Sequence, residues 1–301
     1  MSITIIKKGI SDSIQDAGRY GYQHIGIQPS GYMDYLSAQL ANYILNNPIT
    51  NPVIEIHFPT SVFCFESENL ICITGANFVP VLNEKSIAMQ TPIQVYKGDI
   101  LKFLQPIHGR ISYIAFQGTV TNDQWLNSFS YFSKRLETGL KIEIINKEIT
   151  PRNPSTLNNL LEVIETKVFK QAPFQFIPGP AWNDLDAASI QHLLNMPFKT
   201  TLQSNRMGFQ LKGLLLNLMS PKSYLSSAVT RGTMQLLPNG ELIILMADHQ
   251  TIGGYPNLGQ IILVDLPRFT QLSSDSLIHF SLTNVDSAQQ QYQSLQEKFT
   301  N

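Results

Sequence analysis

Met234-Gln235-Leu236-Leu237-Pro238-Asn239-Gly240-Glu241-Leu242-Ile243-Ile244-Leu245-Met246 is the stretch that decides the fold of this chain. Two short apolar runs, 234–237 and 242–246, flank a Pro-Asn-Gly turn, which is the composition of a β-hairpin. Runs of similar length recur at 3–6, 53–58, 61–65, 70–74, 93–96, 101–104, 111–116, 142–145, 174–177, 260–264 and 277–282. Their density predicts a mainly β protein. Helical spacing is confined to a few places. Leu36, Leu40, Tyr43 and Ile44 share one face before Asn46-Asn47-Pro48 stops the helix; a second helix is predicted over 182–194, with Asn183 or Asp184 at its start. A third stripe, Ala288, Tyr292, Leu295 and Phe299, predicts a terminal helix docked on the core.

With 301 residues, 43% of them hydrophobic, the chain can bury a sizeable core in two domains of ordinary size. The stretch 146–171, mixed in Lys, Glu and Asn and carrying Pro151 and Pro154, reads as the connection. The expected domains are therefore 1–150 and 165–301, with Leu157, Leu160, Leu161 and Ile164 forming a short helix packed on one of them. A formal net charge of −1 leaves no basic footprint for nucleic acid or an anionic membrane, so neither is expected as a partner. No apolar run reaches the roughly 18 residues that span a bilayer, and residues 1–9 lack the apolar core of a secretory signal, which predicts a cytoplasmic protein. Cys64 and Cys72 are expected buried and reduced. The six histidines have no metal-ligand spacing, so no metal site is expected; His57 reads as a core histidine, while His249 stays open as an acid or base.

Directly after the hairpin comes Asp248-His249-Gln250-Thr251-Ile252-Gly253-Gly254-Tyr255-Pro256. Polar groups and paired glycines here interrupt an apolar β-domain. Glycine permits backbone angles closed to other residues and exposes main-chain N–H groups, while Asp248, Gln250 and Thr251 add an acceptor, an amide and a hydroxyl. A tight turn bonded only to itself is the competing reading. A second segment, Gln15-Asp16-Ala17-Gly18-Arg19-Tyr20-Gly21, continues through Gly26 to Pro29-Ser30-Gly31-Tyr32-Met33-Asp34. Arg19 between two glycines suits a carboxylate or phosphate, and Ser30-Gly31 stands ahead of a helix N-terminus; alternatively Arg19 pairs with Asp16, and Ser30 or Asp34 caps the helix. The third segment is Ser204-Asn205-Arg206-Met207-Gly208. Phosphate-loop, dinucleotide and serine-elbow patterns are absent from the sequence. The inventory of arginines, carboxylates, amides and backbone N–H groups instead suits orienting a small amide or carboxylate and stabilising an oxyanion.

Taken together, these segments resemble the biotin-dependent carboxyltransferase-like family, which includes the C subunit of 5-oxoprolinase, a kinase-inhibitor antagonist and the so-called allophanate hydrolase subunit 2. The residues that carry the resemblance are Gln15-Asp16-x-Gly18-Arg19-x-Gly21, Pro29-Ser30-Gly31-x-Met33-Asp34, Asn42, Thr74-Gly75-Ala76, Gly98-Asp99, Gly179-Pro180, Asn205-Arg206-Met207-Gly208, Gly232-x-x-Gln235 and Asp248-x-Gln250-Thr251-x-Gly253-Gly254-Tyr255-Pro256. One stretch departs from the family pattern. Where relatives carry a Gly-Ser-Arg-Ser-Thr run, this chain has Leu126-Asn127-Ser128-Phe129-Ser130-Tyr131.

The resemblance implies two β-barrel-like domains, the C-terminal one cyclophilin-like, with a few short helices. It implies the C subunit of an ATP-dependent 5-oxoprolinase, acting with A-type and B-type partner subunits and ATP with Mg on a small lactam or amide. Asp16, Arg19, Arg206 and Asp248 would be catalytic; Gln15, Ser30, Gly31, Asp34, Asn205, Gln235, Gln250, Thr251, Gly253, Gly254 and Tyr255 would bind substrate or nucleotide. Two alternatives share the resemblance: carboxyl transfer from carboxybiotin to a urea-type amide, with biotin carried by another chain, and a non-catalytic subunit that binds a kinase-inhibitor-like partner.

Overall fold

The computed structural model describes residues 1–130, 135–145, 147, 150–152 and 157–300. Tyr131 and Pro154, singled out above, lie outside the described residues. Contacts divide the chain into two units, Met1–Arg19 with Ser30–Phe169 and Tyr20–Pro29 with Lys170–Asn301. The segment Tyr20–Pro29, grouped by sequence order with the N-terminal half, belongs to the second unit. The protein is mainly β, as its apolar runs predict. Its helices among the described residues are α1 (Tyr35–Ile44), α2 (Asn158–Phe169), α3 (Ala187–Asn195), α4 (Leu266–Thr270) and α5 (Val285–Thr300).

The first unit holds a seven-stranded sheet, ordered Thr119–Val120, Lys141–Ile145, Ser2–Lys7, Val62–Phe65, Ile100–Phe103, Pro80–Leu82, Lys85–Ser86. Its five-stranded sheet is ordered Ser13–Gln15, Val53–His57, His108–Phe116, Asn69–Asn77, Ile93–Val95. Alternate residues of both make one buried cluster: Ile3, Ile5, Phe63 and Phe65 from the larger sheet, Ile54, Ile56, Ile114 and Phe116 from the smaller. Period-two alternation turns one face of each strand inward, so the two sheets share this core, and each such side chain contributes about 1.5–3 kcal/mol. The opposite face of the smaller sheet carries Glu55, Thr74 and Tyr113, and α1 packs there. Thr74 Oγ1 donates to the Ser37 carbonyl at 2.6 Å. Asp34 caps α1, its carboxylate accepting from Ser37 N at 3.0 Å and Ser37 Oγ at 2.6 Å. The helix ends where predicted: Asn46 turns left-handed at φ 59°, and Asn47 Nδ2 donates to the Phe116 carbonyl at 2.7 Å. The predicted helix in the connection is α2, which buries Leu160 and Ile164 and packs on α1, with Leu157 buried just ahead of it. Cys64 and Cys72 are free and lie in different sheets; burial pushes the Cys72 thiol up.

The second unit holds an eight-stranded sheet, ordered Leu277–Ile278, Phe198–Thr200, Gly208–Lys212, Leu242–Leu245, Thr233–Leu236, Asn257–Ile261, Phe174–Pro178, Phe280–Leu282. The opening hairpin is its centre. Met234 pairs with Ile244 and Leu236 with Leu242, and Gly240 at φ 84° closes the turn as Leu237 N donates to the Glu241 carbonyl at 2.8 Å. A separate two-stranded ribbon pairs Ser227–Ala228 with Ile252–Gly253. Several sequence boundaries shift. The helix predicted over 182–194 starts later, because Leu185 is extended; Asp186 caps α3 through Ser189 N at 2.6 Å, and Asp184 holds Lys222 Nζ and Tyr224 Oη instead. The run 260–264 is the end of strand Asn257–Ile261 followed by a turn, and 277–282 is two strands with different partners. Helix α5 buries Leu295 and Phe299 and leaves Tyr292 36% exposed. No helix among the described residues is long and apolar enough to cross a membrane.

Candidate functional site

In the first unit, the 15–19 and 30–34 segments lie against each other. Tyr32 N donates to the Asp16 carbonyl at 2.9 Å, and a Cβ on Gly31, at φ 96°, would stand 3.0 Å from the Ala17 carbonyl. Asp16 is buried and its carboxylate is surrounded by donors. Oδ1 accepts from Gly18 N at 2.8 Å, Ser128 Oγ at 2.7 Å and Ser130 Oγ at 2.8 Å; Oδ2 accepts from Phe129 N at 2.7 Å. A carboxylate that accepts four hydrogen bonds organises a loop and has little left for a proton or a metal. The stretch that departs from the family pattern is therefore the stretch that holds Asp16. Arg19 is buried, with its guanidinium 4.6 Å from the centroid of the Trp125 ring. Gln15 is buried and donates to Ser13 Oγ at 2.9 Å; Ser30 is buried at φ 59°; Asp34 is spent on the cap.

Sequence reasoning missed Glu55. It sits in an apolar strand, is fully buried, and its Oε2 accepts from Met33 N at 2.8 Å and Tyr113 Oη at 2.9 Å. Tyr113 Oη in turn accepts from Asp34 N at 2.7 Å, so a buried acid fixes the entry to α1. Burial and the neighbouring Glu55 push the Tyr113 phenol up. The available signal was an acid flanked by Ile54 and Ile56, a position that is rarely charged without partners.

The segment 125–128 is a two-residue hairpin. Trp125 N donates to the Ser128 carbonyl at 2.9 Å and Ser128 N to the Trp125 carbonyl at 3.2 Å, with Leu126 at φ 51° and Asn127 at φ 60°. Both positions of such a turn need positive φ, which suits Asn127 and strains Leu126. Leu126→Asn is expected to raise stability by about 0.5–1 kcal/mol, read as a higher urea midpoint at unchanged slope. An unchanged or lower midpoint would show that the leucine's packing outweighs its backbone strain.

In the second unit, Arg206 and Asp248 form a bidentate pair: Nε to Oδ2 at 2.7 Å and Nη2 to Oδ1 at 3.0 Å. The backbone zips the same two loops together, with Asp248 N on the Arg206 carbonyl at 2.8 Å and Met246 N on the Met207 carbonyl at 3.0 Å. Asn205 is exposed and holds its own loop, Oδ1 accepting from Met207 N at 2.8 Å. His249 is buried, with Nδ1 2.5 Å from the Gln250 carbonyl, and burial lowers its pKa. Thr251 is buried and its carbonyl accepts from Val229 N at 3.1 Å; Gln250 Nε2 reaches Gln235 Oε1 at 3.4 Å. Gly253 and Gly254 do not occupy the left-handed region. The 253 backbone instead lies close on Gln235: a Cβ there would stand 2.6 Å from Nε2, and the amide would have to move to admit one. Gly254 and Tyr255 are exposed.

Two β units bearing these loop sets define a carboxyltransferase-type protein. The chain belongs to the family described as carboxyltransferase domain, subdomain A and B, whose model matches residues 25–282. It is similar to the C subunit of 5-oxoprolinase from Escherichia coli K12, at 28% identity over 298 residues covering 99% of this chain and 96% of that one. It is 30% identical to the C subunit of 5-oxoprolinase from Haemophilus influenzae over 294 residues, covering 92% and 89%. Among solved structures, the Kluyveromyces lactis urea amidolyase shares the fold at a TM-score of 0.88 and 23% identity, covering 99% of this chain. The chain spans 20% of that longer protein.

Proposed function

We propose that this chain is the C subunit of an ATP-dependent 5-oxoprolinase, which opens 5-oxoproline to glutamate with A-type and B-type partner subunits. The observation that carries the reading is similarity along nearly the whole of two proteins named as C subunits of 5-oxoprolinase. A five-membered lactam is a poor electrophile, so the reaction needs its carbonyl oxygen turned into a leaving group and its carboxylate held. In this reading the 248–255 loop, with Gln235, Gln250, Thr251, Gly253, Gly254 and Tyr255, is the set suited to the lactam amide. Arg206, Asp248 and Asn205 hold that loop in place.

The described residues do not fit a nucleotide cradle. Arg206 is matched by Asp248, Arg19 lies on Trp125, and no three His, Cys, Asp or Glu side chains gather as a metal site among the described residues. We therefore place ATP and its Mg on the partner subunits. Co-purification with both partners should give ATP hydrolysis that depends on 5-oxoproline. Absence of that dependence in a stable three-subunit complex sinks the reading.

The family description favours a second reading, carboxyl transfer to a urea-type amide. The chain carries no Met-Lys-Met biotin-attachment sequence, so a biotinylated partner would have to supply the carboxyl group.

A further inference from the structure

Gln235 stands at the register shift between Met234 and Gln235, where strand Thr233–Leu236 pairs with strand Asn257–Ile261. Its side chain is 1% exposed. Oε1 accepts the long bond from Gln250, but Nε2, with two N–H groups, has no acceptor among the described residues. Interiors rarely keep an amide donor unmatched, because folding has stripped it of water without replacing the bond. Against this donor lies Gly253, where any side chain would strike the amide. The backbone that covers it belongs to a ribbon of two residues per strand, paired only within itself and exposed at Ser227, Ala228 and Ile252. An unmatched donor thus sits beneath a thin, lightly held strand that has no side chain at the point of contact.

We infer that Gln235 is a substrate-binding donor: its Nε2 hydrogens receive the oxygen of a neutral lactam or ureido carbonyl, admitted when the 252–254 strand moves outward. The donor is a neutral carboxamide, which suits a neutral carbonyl oxygen, and Arg206 of the neighbouring loop is paired with Asp248. The inference rests on the lactam reading above for its ligand class.

The direct test follows the side-chain amide resonances of Gln235 in the full-length chain, assigned through their correlations to the backbone of residue 235. Titration with 2-pyrrolidone or 2-imidazolidone should move them, and acetate should not. Resonances that stay in place with both cyclic amides, or that move equally with acetate, overturn the inference. In the three-subunit complex, Gln235→Leu should raise KM for 5-oxoproline about tenfold or more while Tm is unchanged or higher, since the lost donor had no internal partner. An unchanged KM overturns the inference whatever happens to Tm. If Tm falls and KM rises together, or the variant does not fold, the resonances of the parent chain decide. A complex with no 5-oxoproline-dependent turnover would sink the proposed function, and the cyclic-amide titration would still decide the role of Gln235.

Discussion

Asp16→Ala is expected to cost the protein about 3 kcal/mol or more, the larger of two effects that the loop geometry predicts. The substitution removes the acceptor for four donors at once. The hydroxyls of Ser128 and Ser130 can rotate, but the N–H groups of Gly18 and Phe129 are fixed by the backbone and would be left unmatched. Asp16→Asn keeps the shape and turns one acceptor into a donor facing other donors, so its cost should be smaller, about 1–2 kcal/mol. Urea unfolding would rank the two variants, and hydrogen exchange at the Phe129 amide would locate the damage. A cost for alanine below that for asparagine would mean that the carboxylate is not the keystone of this loop.

Breaking the Arg206–Asp248 pair should be nearly as damaging. The side chains are 17% and 6% exposed, so removing either one takes the opposite charge from a group that water reaches poorly. Arg206→Ala and Asp248→Ala are each expected to cost about 2–4 kcal/mol, toward the lower end of what fully buried pairs lose because the arginine keeps some solvent. The double variant should cost less than the sum of the singles by about 1–3 kcal/mol, since no lone charge remains. Strict additivity in the double-mutant cycle would show that the two residues act independently. In the complex proposed above, 5-oxoproline-dependent ATP hydrolysis should fall with either single change, because both loops lose their mutual clamp.

How far the sequence was legible depends on the range of the interaction. The hairpin around Gly240, the stop at Asn46 and the stripe in α5 are local, and each appears where spacing and turn chemistry put it. The helix near 182 failed at its start for a local reason as well: Asp184 and Asp186 are both credible caps, and only the extended Leu185 separates them. Strands Phe198–Thr200 and Gly208–Lys212 escaped notice because they are short and owe their existence to pairing with neighbours. The site segments stood out by composition, but their partners did not. Ser130 meets Asp16 across 114 positions and Arg206 meets Asp248 across 42, distances over which no periodicity speaks. Glu55 was hidden by its apolar neighbours. Gly253 was noticed for its freedom of backbone angle, whereas it is not at positive φ and its backbone instead lies close on the Gln235 amide.

The allocation of Tyr20–Pro29 to the second unit has a consequence for synthesis. As the chain leaves the ribosome, the first unit can assemble once Phe169 has emerged, but these ten residues leave it and return to it with nothing to close upon. They wait as an open loop until the strands beyond Lys170 arrive. Neither unit is a continuous piece of chain, so a fragment beginning at Lys170 would lack part of its own body, and nascent chains paused between the two would be exposed to proteases at this loop.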